Sequence, residues 1–451
     1  MRQFQNIMKT KRIILFSLLI WPLWMAAQNT PSKTAWSLTN CINYALAQNI
    51  QVRKSSLNSE SSRVNSEQAD AQKLPSLSAS VRQNFSWSNR EDLTTGTSSF
   101  SGSGNNNLSL SSGITLYNGM KLTNRAEQAK LNLRSSLLNT ETIRESVSLS
   151  ILNAFLQVLF TGEQVKNSGR QVEATTQQLN LAKERLDMKI ISMSDYLQVK
   201  SQLANEKLSL TNAQNQHAIA KVNLMQLMEL PVDNEFMVKE PVMEEMINKN
   251  LTPEAQEVYA IALGIKPQVQ SAELAKQSAV LDEKIAKAGY LPTLSADAGL
   301  STGYSSFSNE SGYWSEIGNA LSPSAGLSLS IPIFQRKQAK SSVALAKISL
   351  QNAELDEINT KNQLRKEIEQ ACLDVVSAQS EFESSKENYQ SVMESYALAE
   401  EKFKQGLINS VDFLFEKTSQ IVAESQLLQS RYNLIFSYKI LDFYSGVPIE
   451  L

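Results

Sequence analysis

The chain has 451 residues, with 43 basic and 45 acidic side chains, two cysteines and a single histidine. Such a balance leaves no electrostatic footprint for nucleic acid. Cys41 and Cys372 cannot build a disulfide framework or a cysteine metal cluster, and His217 alone removes most imidazole catalysis and metal ligation.

In chain order, the first signal is for export. Arg2, Lys9, Lys11 and Arg12 precede an apolar run over 13–24, and the small residues Ala26 and Ala27 follow. That order is a secretory signal, and the run is short for a membrane span. Cleavage is expected near Ala27, so 1–27 reads as the signal peptide. Leu38-Thr39-Asn40 lacks the small residues of a lipidation site, so Cys41 reads as an ordinary helix-start cysteine.

Residues 40–72 are rich in Ala, Ser, Gln and Glu, with no Gly or Pro, which favours a helix. Pro75 ends it. The period then changes to two. Leu77, Ala79, Val81, Phe85 and Trp87 alternate with Ser76, Ser78, Ser80, Arg82, Asn84 and Ser86, predicting a two-faced strand over 76–88. A Ser/Gly/Thr/Asn-rich stretch over 89–106 reads as a loop. A second strand over 107–117 places Leu108, Leu110, Ile114 and Leu116 on one face.

A proline-free stretch over 121–188 predicts a very long helix, with Gly162 a candidate local break. A tight tip follows at about 189–195. The return helix carries a seam of Tyr196, Val199, Leu203, Leu210, Ala213, Ala220, Leu224 and Leu227, interrupted by Glu206 and His217. Such heptads pack helices side by side. The connector over 231–253 has room for one short strand.

The second half repeats the first. Leu74-Pro75 returns as Leu291-Pro292, Asp195-Tyr196-Leu197 as Asp412-Phe413-Leu414, Ala45-Leu46 as Ala262-Leu263 and Pro231 as Pro448, each a step of 217 residues. The expected second-half elements are strands over 293–304 and 324–334, a long helix over 337–405, a tip at 406–412 and a return helix to about 441. Repeat one is placed at 28–252 and repeat two at 253–451. A step this long marks two fused copies of a large module, as a wall built of repeated sectors requires.

The fold class is therefore an α+β membrane protein, with long antiparallel coiled-coil hairpins and four strands per chain. The strands suit a tilted crossing of the bilayer, which takes ~9–11 residues. Two hairpins are too few for a good sandwich, and a barrel in lipid tolerates no open edge. If the strands form such a barrel, several chains must close it together.

Several ordered features resemble the TolC-type outer-membrane efflux protein family across nearly the whole chain. They are the Leu-Pro before each first strand, Ile114-Thr115-Leu116-Tyr117-Asn118-Gly119 and Leu329-Ser330-Ile331-Pro332-Ile333-Phe334 leading into the long helices, the tip from Phe403 to Leu414, and Arg431-Tyr432-Asn433. The resemblance implies a homotrimer, whose chains together form a β-barrel in the outer-membrane lipid and a periplasmic α-barrel. It implies a passive exit duct that docks with a periplasmic adaptor and an inner-membrane pump, with no cofactor.

The tips carry the candidate site residues. Gly406 suits a left-handed helix cap, and Lys189 stands in its place in repeat one. Ile190, Ile191, Leu407 and Ile408 are apolar at an exposed turn. They either staple their own hairpin or contact the adaptor. Asp195 and Asp412 suit N-caps of the return helices. The resemblance adds a gate. It gives Asp412 the place of an acidic constriction of the closed entrance, with Phe415 where a second acid would stand and Glu416 beside it. It gives Asp195 the place of an acid linking neighbouring hairpins, whose basic partner position is Ile408 here.

Two other functions are alternatives. A type I protein-secretion duct would use the same architecture. A soluble periplasmic coiled-coil scaffold would not need the alternating strands. An enzyme is disfavoured, since no Gly-rich phosphate loop, metal spacing or nucleophile elbow is present.

Overall fold

The computed structural model describes residues 35–91, 96–233, 235–241, 254–306 and 312–449. The expected signal peptide over 1–27 lies outside the described residues, as does most of the connector beyond 241.

The first expected helix is two helices, α1 (Leu38–Gln48) and α2 (Ile50–Ala71). Asn49 makes the break. Its side-chain oxygen accepts from the Gln51 and Val52 N–H groups, and its amide donates to the Leu227 carbonyl at 2.9 Å. In the second repeat the break between α5 (Ala255–Ile265) and α6 (Pro267–Lys287) falls at Lys266, with Pro267 in the first helical turn. Proline is preorganised for that position and needs no N–H partner there.

Strands β1 (Ser76–Glu91) and β2 (Ser98–Tyr117) form the first hairpin. They run well past the expected ends, and most of the expected 89–106 loop is strand. The ladder needs only backbone groups and small side chains, and the Ser and Asn residues that read as a loop serve as rungs. The Ser86 and Ser103 hydroxyls lie 2.7 Å apart, and Asn106 donates to Gln83 at 3.0 Å.

In the second hairpin, β3 (Thr293–Ser305) pairs with β4 (Ser322–Ser330), and a short helix α7 (Tyr313–Asn319) sits in the connection between them. Phe307 of that connection lies outside the described residues. β4 stops at Ser330, short of the expected 334. Pro332 can donate no rung, and Arg336 and Lys337 take positive φ as the chain turns into the next helix.

The strands form one antiparallel sheet, β1-β2-β3-β4, with β1 and β4 as open edges. Register gathers the apolar residues on one face. Ala79 opposes Leu110, Leu110 opposes Leu300, and Leu294 opposes Leu329. The other face is a hydroxyl ladder, with Ser78–Ser111 at 2.9 Å and Ser80–Ser109 at 2.7 Å.

Two helices of 67 residues each follow, α3 (Lys121–Asp187) and α8 (Gln338–Lys404). At about 1.5 Å per residue each is roughly 100 Å long. The return helices are α4 (Met193–Leu227) and α9 (Ser410–Tyr444). Lys121 to Gln338 and Met193 to Ser410 are the same step of 217 residues as the sequence repeat. Gly162 does not break α3. It leaves room for His217, whose Nδ1 lies 3.1 Å from the Thr161 hydroxyl and whose ring would sit 3.3 Å from an added Cβ. Burial holds the His217 pKa below its ordinary value, so the ring is a neutral packing element.

One stretch of α3 is apolar enough to cross a membrane by length and composition. It is occupied otherwise. Ile151, Leu152, Phe155, Val158 and Leu159 form the main core with Cys41 and Ala45 of α1 and Leu224, Met225 and Met228 at the end of α4. A second core joins Leu364, Ile368 and Val375 of α8 to Leu434, Tyr438 and Leu441 of α9. Each fully buried side chain of this size stabilises the fold by about 1.5–3 kcal/mol. The cores lie at the middle of the long helices and at the tip-distal ends of α4 and α9, so the tips project far from them.

Candidate functional site: the paired hairpin tips

The two tips have one backbone design. Lys189 takes φ 61° and Gly406 takes φ 77°. In repeat one, the Lys189 N–H reaches the Leu186 carbonyl at 2.8 Å and the Ile190 N–H reaches Arg185 at 2.8 Å. In repeat two, Gly406 reaches Phe403 at 3.1 Å and Leu407 reaches Lys402 at 2.8 Å. Both are Schellman caps, which close a helix through one left-handed residue. Lysine therefore adopts the turn that glycine takes freely, and it bears the steric cost of a non-glycine residue there.

Each cap pushes an apolar side chain outward. Ile190 is 65 % exposed and Leu407 is 68 % exposed. Ile191 and Ile408 are half-buried and line a cavity of about 520 Å³ between the two tips, together with Arg185, Asp195 and Phe413. In repeat two Leu407 faces out and Ile408 faces the joint between hairpins, whereas in repeat one Ile190, though exposed, borders the cavity beside Ile191.

The aspartates are not N-caps. Ser192 and Asn409 hold those places, each accepting from the backbone N–H of the aspartate three residues on. Asp195 completes a capping box, since its carboxylate accepts from the Ser192 N–H at 3.1 Å and hydroxyl at 2.6 Å. It also crosses to the other repeat, where the Ser410 hydroxyl donates to it at 2.6 Å and lies 2.7 Å from the Gln198 side-chain amide. The Ser192 hydroxyl, the Ser410 hydroxyl and the Ser192 N–H hold the Asp195 carboxyl below its usual pKa. Arg185 adds a second crossing, donating to the Lys404 carbonyl at 3.3 Å.

Asp412 occupies the matching position of α9, with its N–H on the Asn409 side chain at 2.9 Å. Its side chain is exposed. Phe415, one turn on along the same face, is 69 % exposed. Phe415 therefore does not fill its own hairpin seam. Phe413 does, stacked on Phe403 at 4.6 Å and near Tyr396 at 5.9 Å. Glu416 is drawn back, accepting from Ser395 of its own hairpin at 2.9 Å.

Above the tip lies a buried polar cluster. Lys417 of α9 contacts Glu206 of α4 at 3.1 Å, with side chains 4 % and 5 % exposed. Thr175 of α3 donates to Glu206 and is also reached by Lys417, and Gln202 donates to Glu206 at 3.0 Å. Beside this third crossing, a fourth is the pair of Arg170 and Glu424 at 3.4 Å. Glu206 interrupts the heptad seam in sequence, and that interruption is the visible signal for this cluster. Lys417 has no such signal, because its partner belongs to the other repeat. Among the described residues no group of three His, Cys, Asp or Glu side chains could hold a metal ion.

The model for the family described as outer membrane efflux protein matches residues 41–229 and 258–447. No curated protein sequence matches the chain. Among solved structures, a crystal structure of CusC is 16 % identical over 91 % of this chain and 92 % of its own, with a TM-score of 0.79. VceC from Vibrio cholerae is 16 % identical over 92 % of this chain and 97 % of its own, with a TM-score of 0.76. The Campylobacter jejuni CmeC outer membrane channel is 17 % identical over 92 % and 86 %, with a TM-score of 0.76.

Proposed function

The chain belongs to the outer membrane efflux protein family, and on that premise we propose that it is the exit duct of a tripartite efflux pump. It lies in the outer membrane and extends into the periplasm. In this reading it is a homotrimer that conducts substrates passively, while an inner-membrane pump supplies the energy through a periplasmic adaptor.

The observation that carries the reading is the sheet. It is apolar on one face, hydroxyl-lined on the other and open at both edges. Lipid can cover the first face and water the second, and only other chains can satisfy the edges. The sheet feeds directly into two helices long enough to reach deep into the periplasm.

The exposed Ile190 and Leu407, raised by their caps at the far end, suit the adaptor. An apolar anchor on a hairpin tip is what a partner helix recognises. Gly406 keeps the repeat-two tip unstrained, and Ile191 and Ile408 support the anchors from behind. The entrance between the tips is the gate. Copies of Asp412 around a narrow mouth repel one another and attract cations. Asp195 ties adjacent hairpins together, and Phe415 supplies the apolar closure.

Leu407→Asp tests the docking step. It leaves assembly intact, because Leu407 is largely exposed, and it abolishes adaptor crosslinking and export. Normal export at normal expression would refute the assignment.

A further inference from the structure

The repeat step carries α3 onto α8, α4 onto α9 and α2 onto α6. Within the chain the two repeats meet at one joint, where α9 packs on α3 and α4, and α6 packs on α3. A ring of such chains needs a second joint, between the end of one chain and the start of the next. Applying the step to every in-chain contact gives that joint's residues.

The geometry points to a protomer–protomer joint that copies the in-chain joint with its chemistry exchanged: opposite charges meet along the shaft, and an apolar seal meets at the tip. Arg170 and Glu424 pair within the chain. Their counterparts are Glu387 on α8 and Lys207 on α4, both exposed, so the same contact forms with the signs reversed. Ser271 donates to Asn139 at 2.9 Å where α6 meets α3. The counterparts are Lys54 on α2 and Asp356 on α8, also exposed and of opposite charge. The faces that carry them are apolar and uncovered in the single chain, with Ile50, Leu57 and Val64 on α2 and Leu345, Leu355 and Ile358 on α8. An uncovered apolar stripe flanked by complementary charge fits a second copy of this chain.

At the tip the exchange changes the kind of contact. Ser410 meets Asp195 and Gln198 within the chain. The counterparts are Met193 of one protomer against Asp412 and Phe415 of the next. Met193 is 60 % exposed and Phe415 is 69 % exposed in the single chain, and thioether–aromatic contact is favourable. Lys417 and Glu206 correspond to Lys200 and Ala423, so the buried ion pair has no copy between chains. The in-chain joint is locked by hydrogen bonds and a buried charge pair. The joint between protomers is held by an apolar seal and exposed charges. Exposed ion pairs are weak, so the protomer joint is the one that parts when the mouth opens.

This inference rests on the ring reading above, and crosslinking separates the two. Lys207→Cys with Glu387→Cys, oxidised in purified full-length protein, should give covalent dimers and trimers on non-reducing gels. Met193→Cys with Phe415→Cys should do the same at the tip. Arg170→Cys with Glu424→Cys should stay at the monomer position, since that bridge closes within a chain. Light scattering of the unmodified protein is the control for assembly. A monomer would overturn the ring reading and the joint with it. An oligomer in which neither inter-chain pair crosslinks would overturn the joint alone. An oligomer in which the Arg170–Glu424 bridge also forms dimers would overturn the assignment of the two joints.

Discussion

Replacing Lys417 by methionine strikes the buried joint between hairpins. Lys417 and Glu206 are almost fully enclosed, and Thr175 bridges them. Removing one partner of a buried pair typically costs about 3–5 kcal/mol, because the survivor stays buried and uncompensated. Here Glu206 would keep donors from Thr175 and Gln202, so Lys417→Met should fall near the lower end, about 3 kcal/mol. Glu206→Leu strands Lys417 with the threonine hydroxyl alone and should cost at least as much. The double variant replaces the pair by apolar groups and should cost less than either single change, since well-packed substitutes for a buried ion pair are often neutral. Urea unfolding of the detergent-solubilised protein, followed by helical circular dichroism at one fixed protein concentration, reads all three. Single variants within about 0.5 kcal/mol of wild type would refute the reasoning, as would additive effects.

Other predictions follow from the sheet, the hairpin seam and the tip. Leu110→Arg should deplete folded trimer far more than Ser109→Arg, because a cation on the lipid face costs ~2–4 kcal/mol at the midplane. Equal depletion of the two variants in outer-membrane fractions would reverse the assigned faces. Phe413→Ala removes the ring stacked on Phe403 and should cost about 3–5 kcal/mol, read by the same urea titration, whereas Phe415→Ala, which takes nothing out of its own hairpin seam, should cost less. The depressed Asp195 pKa means that its stabilisation is present above the unfolded carboxylate value and is lost as pH falls through the folded value. The tip should therefore stay protected at pH 5 and open only in stronger acid. Ser192→Ala should move that opening to higher pH, as measured by tip hydrogen exchange.

The architecture is legible because its signals are long. A helix of 67 residues announces itself by sustained absence of proline, and the repeat step is fixed by pairs such as Leu74-Pro75 and Leu291-Pro292. The outer ends of β1 and β2 are not legible. Ser, Asn and Gly there have turn composition, and only the ladder register shows that they pair. The true caps were within reach, since Ser192-x-x-Asp195 is a capping-box spacing and Asn409-x-x-Asp412 repeats it. Asp195 and Asp412 compete with them for the cap by residue type, because acidic residues suit a first turn equally well. Phe413 and Phe415 are indistinguishable by composition, and only helix phase sends one into the seam and the other out. Lys417 is legible in no local pattern, because its meaning depends on Glu206 and Thr175 of the other repeat.

Single-channel recording in planar bilayers tests most directly whether this chain is an outer-membrane duct gated at its tips. Purified wild-type protein should insert as uniform, cation-selective steps of low conductance. Asp412→Ala should lower cation selectivity and weaken block by cations, while Phe415→Ala should raise basal conductance. Absence of conductance from inserted wild-type protein would contradict the duct. Conductance, selectivity and block unchanged in both variants would contradict the gate.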